Sequence, residues 1–417
     1  MTQALVVGGG PSGSVTALLL ARAGWEVELV DRATFPRGKA CGECLNPAGV
    51  DLLHRLELLE PVLAAGATAL EGWEISPLGP GVARGRFSGP DRALGIERRS
   101  FDRALLQEAR RQGVRVREGV TVEAAEPGDP VTPARVRLRR ADGEREERHV
   151  PILIGADGLR SRVAQETGLA LPPTGPARAS LTWRIQGEGP SRRRGRLLLG
   201  GGCTVGFAPV GPPGKGLWNL TLVLTGAART GRLKEEGWGL ALGVLEEGEV
   251  TWSNGPEVVD GPWGSGSFHR PTRSVAQGRT LLVGDAAGYF DPLTGQGIFR
   301  AIRSARLAAL ALTGGQEAPR PPGSPAGLPE YRAAFPKGLR WGRGLQRAID
   351  EVLSRSGPRT VGLSLLRFIP GAASGLIRLT GDRPDTILKS PAPLLPWPNG
   401  GDGKETLPDS GGTFDHG

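Results

Sequence analysis

Six consecutive small residues near the N-terminus, Gly8-Gly9-Gly10-Pro11-Ser12-Gly13, carry the strongest chemical signal in the chain. They fit the spacing Gly-x-Gly-x-x-Gly, which lets a backbone close on a pyrophosphate. Gly8 permits the tight turn, Gly10 clears room for phosphate oxygens, and Gly13 lets helix and strand pack closely. Pro11 suits the first helical position, where its missing N–H costs nothing. With Ser12 it opens a helix whose unpaired N–H groups and positive end face the phosphates. Asp31 stands about 20 residues further on, where a carboxylate bonds a ribose hydroxyl, and Arg32 lies beside it. A carboxylate there repels a ribose phosphate, so NADP is not expected in this site.

The elements around these glycines must be a strand, a turn, a helix and a second strand, and the sequence supplies them. Gln3 to Val7 reads as an apolar strand, and Val15, Leu18, Leu19 and Ala23 mark the helix. Gly24 stops it, and Trp25 to Val30 leads into Asp31. This context turns a weak motif into a dinucleotide site, with NAD and FAD both still open.

Other chemistry is poorly supplied. The Cys41-x-x-Cys44 pair is the spacing of a redox dithiol, but no thioredoxin setting surrounds it, and two ordinary loop residues are the preferred reading. Three cysteines build no disulfide framework. The scattered His54, His149, His269 and His416 lack metal-ligand spacing, so no metal is expected. There is no Gly-x-Ser-x-Gly elbow and no Walker loop. The net charge of +9 is assigned to an Arg-, Gly- and Pro-rich composition. Only two Tyr and ten Phe are present, too few for base-stacking platforms, so no nucleic-acid partner is expected. No export signal is seen at the N-terminus, so a cytoplasmic location is expected.

Further along, residues 46–65 read as one helix, and Ser100 is expected to cap a helix that Gly113 ends. Ala141-Asp142-Gly143 marks a hairpin with a charged, solvated face. Residues 177–270 turn mainly to strands, with a helix near 232–246. Thr280 to Val283 is a short strand, followed by a helix over 296–312. A Gly/Pro-rich linker covers 313–329 and helices cover 330–380. The polar, Pro/Gly-rich residues 386–417 are expected to be disordered.

Three later segments separate the cofactors by resemblance. Leu281-Leu282-Val283-Gly284-Asp285-Ala286-Ala287-Gly288, followed by Pro292 and Gly295-Gln296-Gly297, resembles the second FAD fingerprint of the para-hydroxybenzoate-hydroxylase-like flavoproteins. The resemblance implies that Asp285 bonds the ribityl chain. It also implies that the helix after Gly295 points its N-terminus at the flavin pyrimidine edge, where a helix start favours negative charge by about 0.3–2 kcal/mol. Ile154 to Ser161 is similar to the family's middle motif, whose Asp157-Gly158 pair lies near the dinucleotide. Ala164 stands where the family often has Arg, so the nicotinamide contact is weaker there. Arg98, four residues before Asp102, matches a cofactor-contacting arginine. Phe35 to Glu43 looks like a segment of geranylgeranyl-reductase-like and lipid-phenol-hydroxylase-like branches, where the Cys41-Gly42 stretch lies beside the flavin. Tyr289, inside the second fingerprint, is a weak candidate for flavin contact, as is Cys41.

The resemblance covers residues 1–380 and implies an α/β (mixed α+β) fold. A Rossmann-like FAD-binding domain would be built discontinuously from residues 1–75, 96–176 and 271–320. An inserted antiparallel β-sheet substrate domain would take 76–95 and 177–270, and C-terminal helices 330–385. FAD is the expected cofactor and NAD(P)H the expected electron donor. Two reactions fit: hydroxylation of a hydrophobic phenolic molecule, or reduction of C=C bonds in a prenyl chain. The reductases' Tyr-x-Trp-x-Phe-Pro segment is replaced by Thr204-Val205-Gly206-Phe207-Ala208-Pro209, so the NAD(P)H-dependent monooxygenase is preferred. A halogenase is disfavoured because no Trp-x-Trp-x-Ile-Pro segment occurs. A non-catalytic flavin electron carrier is the alternative of another class, and a full lid argues against it. The expected partner is a lipophilic small molecule. Two readings stay open for the apolar residues 361–380: a helix pair packed on the FAD domain, which is preferred, and peripheral membrane contact in which Arg367 and Arg378 reach lipid phosphates.

Overall fold

The structure, a computed structural model, describes residues 2–78, 81–87, 93–253, 255–289, 295–314 and 320–381. Pro292 and the C-terminal stretch 386–417 therefore lie outside the described residues.

Short, uninterrupted apolar runs form the central sheet because both of its faces are covered. Its six strands run in the order Ala276–Gln277, Thr280–Leu282, Ile152–Gly155, Ala4–Val7, Val27–Asp31 and Arg115–Glu118. All neighbours are parallel except the first pair. Ala4, Leu5, Val6, Ile152, Leu153, Ile154, Leu281 and Leu282 are buried in one core. Helices Pro11–Arg22, Arg98–Arg111 and Gly297–Thr313 pack with it, the first touching both others. The expected hairpin is present as Ala134–Arg140 paired with Arg145–Val150. Its charged residues lie in Arg–Glu pairs, exposed at Arg140–Glu144, half-buried at Arg139–Glu123, and buried on the Glu28 side at Arg148–Glu28.

A second sheet holds seven strands in the order Glu257–Gly266, Arg178–Gln186, Leu217–Thr225, Cys203–Pro209, Arg194–Leu199, Gly72–Pro77 and Ala83–Arg86. It is antiparallel except where Arg194–Leu199 runs parallel to Gly72–Pro77. Alternation in Arg178–Gln186 sets its two faces. Leu181, Trp183 and Ile185 join Ala241, Val244 and Leu245 of helix Leu233–Glu247 in a separate core. Ser180, Thr182 and Arg184 face the other way and are nevertheless buried.

Two helix expectations change. The single helix over 46–65 is split into Pro47–Arg55 and Leu59–Ala64, because Glu57 adopts a left-handed φ of 57° that breaks the helical path. Ser100 is not a cap: the helix starts at Arg98, with Glu97 at the cap position. The Arg98 N–H donates to Glu43 Oε1 at 2.7 Å, so a carboxylate distant in sequence satisfies this helix start. The chain then ends its described part in three helices, Leu328–Ser354, Ser356–Phe368 and Ala372–Gly381.

Candidate cofactor and substrate site

The first fingerprint closes as its spacing requires. Gly8 has φ 111°, and a side chain there would come within 2.4 Å of the Ala156 carbonyl oxygen. At Gly13 a Cβ would lie 1.8 Å from the Gly8 oxygen, so helix and turn are in backbone contact. At Gly10 the space is open, and the nearest atom to a Cβ is Arg37 Nη2 at 3.8 Å. Helix Pro11–Arg22 begins there with no side-chain cap, leaving its first N–H groups to the cavity. Asp31 ends the neighbouring strand, and its carboxylate accepts from Gly9 N–H at 2.6 Å and Ala33 N–H at 2.8 Å.

One cavity of about 610 Å³ joins this turn to the other expected residues. Gly8, Gly10, Pro11, Ser12 and Asp31 line it, as do Arg98, Asp157, Gly158, Asp285, Gly295 and Gly297. Cys41 and Tyr289 also line it. Gly13 lies behind Gly8, and Gly284 lies behind Ser12, where a Cβ would meet Ser12 Oγ at 2.5 Å. Arg32 is exposed and is not among the cavity-lining residues. Tyr289 stacks against Phe268 at 5.5 Å while reaching the cavity wall.

Charge is distributed unevenly around this space. Arg37, Lys39 and Arg98 line it together. Burial, and then the Arg98 charge, push the Lys39 ammonium below its ordinary range, while Asp285 pulls the other way. Arg98 is held by Asp102 through bonds of 2.8 Å to both carboxylate oxygens. Asp157 Oδ2 accepts from the Arg162 and Val163 N–H groups, whereas its buried Oδ1 has no hydrogen-bond partner among the described residues. Burial raises the Asp157 carboxyl above the usual range.

A buried network that sequence reasoning missed anchors the loop beside the cavity. Glu43, with a left-handed φ of 52°, is ion-paired to Arg184 of the second sheet. Asn219 Nδ2 donates to Glu43 Oε2 at 3.1 Å and to the Cys41 carbonyl at 2.9 Å. Arg184 Nε lies 3.4 Å from Glu97. Burial pushes the Glu43 carboxyl above its ordinary value, opposed by Arg184 and the Arg98 N–H. The one signal available in the sequence was the polar face Ser180–Thr182–Arg184, which reads as solvent-facing until its partner is known.

The cysteine pair is not poised alike. Both cysteines line the cavity, and the Cys41 sulfur accepts from the Glu43 N–H at 3.4 Å. Cys44 is paired in a strand with Gly95, and burial, then Cys41, push its thiol up to about 12. At pH 8.5 Cys44 should therefore react with iodoacetamide at least about 100-fold more slowly than an unperturbed thiol. Peptide mass mapping over time checks this, and equal labelling of Cys44 and free cysteine would contradict it.

Residues 1–187 match the family described as FAD binding domain. That segment, a little under half of the chain, has the pattern of an FAD-binding domain. This flavoprotein is 28% identical over 341 residues to the tryptophan 2-halogenase of Chondromyces crocatus, spanning 75% of this chain and 61% of that protein. It is 29% identical over 310 residues to the 6-methylpretetramide 4-monooxygenase of Streptomyces rimosus (71% and 53%). To a menaquinone reductase of Mycobacterium tuberculosis it is 29% identical over 334 residues (73% and 75%). The flavoprotein spans 61%, 62% and 53% of the length of the first curated relatives it matches. The geranylgeranyl bacteriochlorophyll reductase-like structure from Thermoplasma acidophilum shares its fold, with TM-score 0.74 at 19% identity over 92% of this chain and 97% of that one. FAD fits the residues present: an open turn at Gly10, a helix start aimed into the cavity, three cations, and the unpartnered Asp157 Oδ1. Gly8, Gly10, Pro11 and Ser12 would hold the pyrophosphate, with Asp31, Arg98, Asp157 and Asp285 around the rest.

Proposed function

We propose that the chain is an FAD-dependent oxidoreductase that hydroxylates a lipophilic molecule with a phenolic head, using NAD(P)H and oxygen. The observation that carries this reading is a change of polarity along the cavity. Where Glu257–Gly266, Arg178–Gln186 and Leu217–Thr225 neighbour one another, the lining is mostly polar: Ser265, Ser180, Asn219 and Thr221, with Val223 beside Ser180. Two and three strands further, the lining becomes Leu197, Leu199, Trp73 and Ile75. At ordinary strand spacing the wall crosses roughly 24 Å from Ser265 to Ile75. The polar end adjoins the Cys41 loop, because Asn219 bonds the Cys41 carbonyl. A hydroxylated ring held by Ser180, Thr221 and Asn219 would leave its apolar tail against the leucines.

When bound, FAD supplies the redox chemistry, passing electrons from NAD(P)H to oxygen. The protein's part is to orient the ring, keep water out and hold the tail. The balanced change is one C–H bond converted to C–O–H, with O₂, NAD(P)H and a proton consumed and water and NAD(P)⁺ released. The second reading, reduction of a C=C bond, draws support from the likeness to the menaquinone reductase and from the long apolar end of the cavity. Product mass separates the two. Incubation with a long-chain phenol and NAD(P)H is expected to add one oxygen, labelled from ¹⁸O₂. A gain of two hydrogens without oxygen would replace the hydroxylase by the reductase.

A further inference from the structure

The apolar end of the cavity is lined by the last two helices among the described residues, and their outer surface is unusual. Ser356–Phe368 and Ala372–Gly381 meet in an elbow bent by 105°. The second helix is docked: Ala373 and Ile377 are buried, Ser374 Oγ accepts from Arg86 N–H at 3.1 Å, and the Thr380 carbonyl accepts from Gln296 Nε2 at 2.9 Å. The first packs Leu363 against Ile75 and Leu199 and also meets helix Leu328–Ser354. Its other side carries Val361, Leu365 and Phe368 at spacings of four and three, one helical stripe, continued by Ile369. These are 60%, 49%, 71% and 50% exposed. Apolar residues scattered singly on a surface need no explanation, but a contiguous stripe does.

Two further observations identify what covers it. Residues 352–381 contain Arg359, Arg367 and Arg378 and no Asp or Glu, while Arg355 is ion-paired to Glu351 just before them. Leu365 belongs both to the exposed stripe and to the cavity wall, and Leu366 and Arg359 line the cavity beside it. The patch is therefore the rim of the cavity's apolar end. A second copy related by two-fold symmetry would set these arginines against themselves, which like charge opposes. An anionic bilayer meets both the stripe and the arginines.

We propose that this elbow docks on an anionic membrane surface and that the apolar end of the cavity opens into the lipid, so that substrate enters tail-first from the bilayer. The proposal rests on the lipophilic-substrate reading above. The elbow lies in the interface and does not span it: neither helix alone is long and apolar enough to cross a membrane, and Arg367 and Arg378 would have to be buried. A depth of about 5–10 Å suits an amphipathic element of this kind.

Flotation of the FAD-loaded full chain with vesicles tests it. Phosphatidylcholine vesicles containing about 30 mol% phosphatidylglycerol should recover roughly tenfold more protein than phosphatidylcholine alone. About 1 M salt should release it. Phe368→Ser with Ile369→Ser, and separately Arg367→Glu, should abolish recovery while flavin absorbance and turnover of a short-tailed, water-soluble phenol stay unchanged. None of these three residues lines the cavity. Protein that stays in the soluble fraction with both vesicles overturns the proposal, as does equal recovery on neutral vesicles. A dimer in light scattering that Phe368→Ser and Ile369→Ser convert to monomer also overturns it, by assigning the patch to a second copy. Failure of the hydroxylase reading would show instead as no oxygen gained by the soluble phenol, whatever the flotation result.

Discussion

Gly10→Ala should fold normally and lose FAD, whereas Gly13→Val should lose both fold and FAD. The two glycines sit three residues apart in one motif, yet the physics at each differs. Gly10 has φ −75° and ψ −176°, which any residue adopts, and an added methyl meets nothing closer than Arg37 Nη2 at 3.8 Å. The apoprotein should thus lose no more than about 1 kcal/mol of stability, mostly from a poorer helix start. That methyl does, however, occupy the approach of the pyrophosphate to the helix N-terminus. FAD affinity should fall on the order of 100-fold, or about 2.7 kcal/mol. At Gly13 a Cβ would sit 1.8 Å from the Gly8 oxygen, and the clash is with backbone. Helix Pro11–Arg22 would have to leave its place against the central sheet, at more than about 3 kcal/mol. Thermal unfolding of the apoproteins and FAD titration by fluorescence quenching check both. Gly10→Ala protein that binds FAD like the parent would remove the pyrophosphate from this turn.

The contrast between near and distant neighbours also explains what the sequence made legible. The first fingerprint, its strand, its helix and Asp31 fall within one continuous stretch, so periodicity and turn chemistry are enough to place them. The hairpin around Asp142 is local in the same way. Ser100 misled because a cap is normally the residue just before the helix, while here Glu43 satisfies the helix start at Arg98 from a distant loop. Likewise Glu43 and Asn219 are 176 positions apart, and nothing local marks them as partners. The second sheet has two buried faces, one against its own helix and one toward the cavity and the Cys41 loop. Its polar face at Ser180, Thr182 and Arg184 therefore has the pattern of a solvent-facing sheet. Only the three-dimensional pairing with Glu43 and Glu97 shows that Arg184 holds the Cys41 loop.

That pairing leads to the other large effect: Glu43→Ala should destabilise the protein by about 3–5 kcal/mol, because it strands the Arg184 guanidinium in the interior. Arg184 is only 3% exposed, and its Nε and Nη1 already lack hydrogen-bond partners among the described residues. Removing Glu43 leaves Glu97, 3.4 Å away, as its sole counter-charge in the network. Glu43→Gln should be somewhat milder: an amide of the same shape still accepts from the Arg98 N–H, although it too removes the charge facing Arg184. The double change Glu43→Leu with Arg184→Met should recover most of the stability lost by Glu43→Ala, since a buried ion pair replaced by apolar residues is often neutral or better. It should not recover turnover. Without the Glu43 carboxylate, Asn219 Nδ2 keeps only its bond to the Cys41 carbonyl, and the loop at the polar end of the cavity loses its side-chain ties to Arg184, Asn219 and the Arg98 N–H. The expected signature is a stable, yellow protein with kcat lowered roughly tenfold or more and an altered flavin absorbance envelope. Parent-like turnover in the double variant would reduce Glu43 and Arg184 to packing, whereas recovered stability with lost turnover makes them positioning residues for the Cys41 loop.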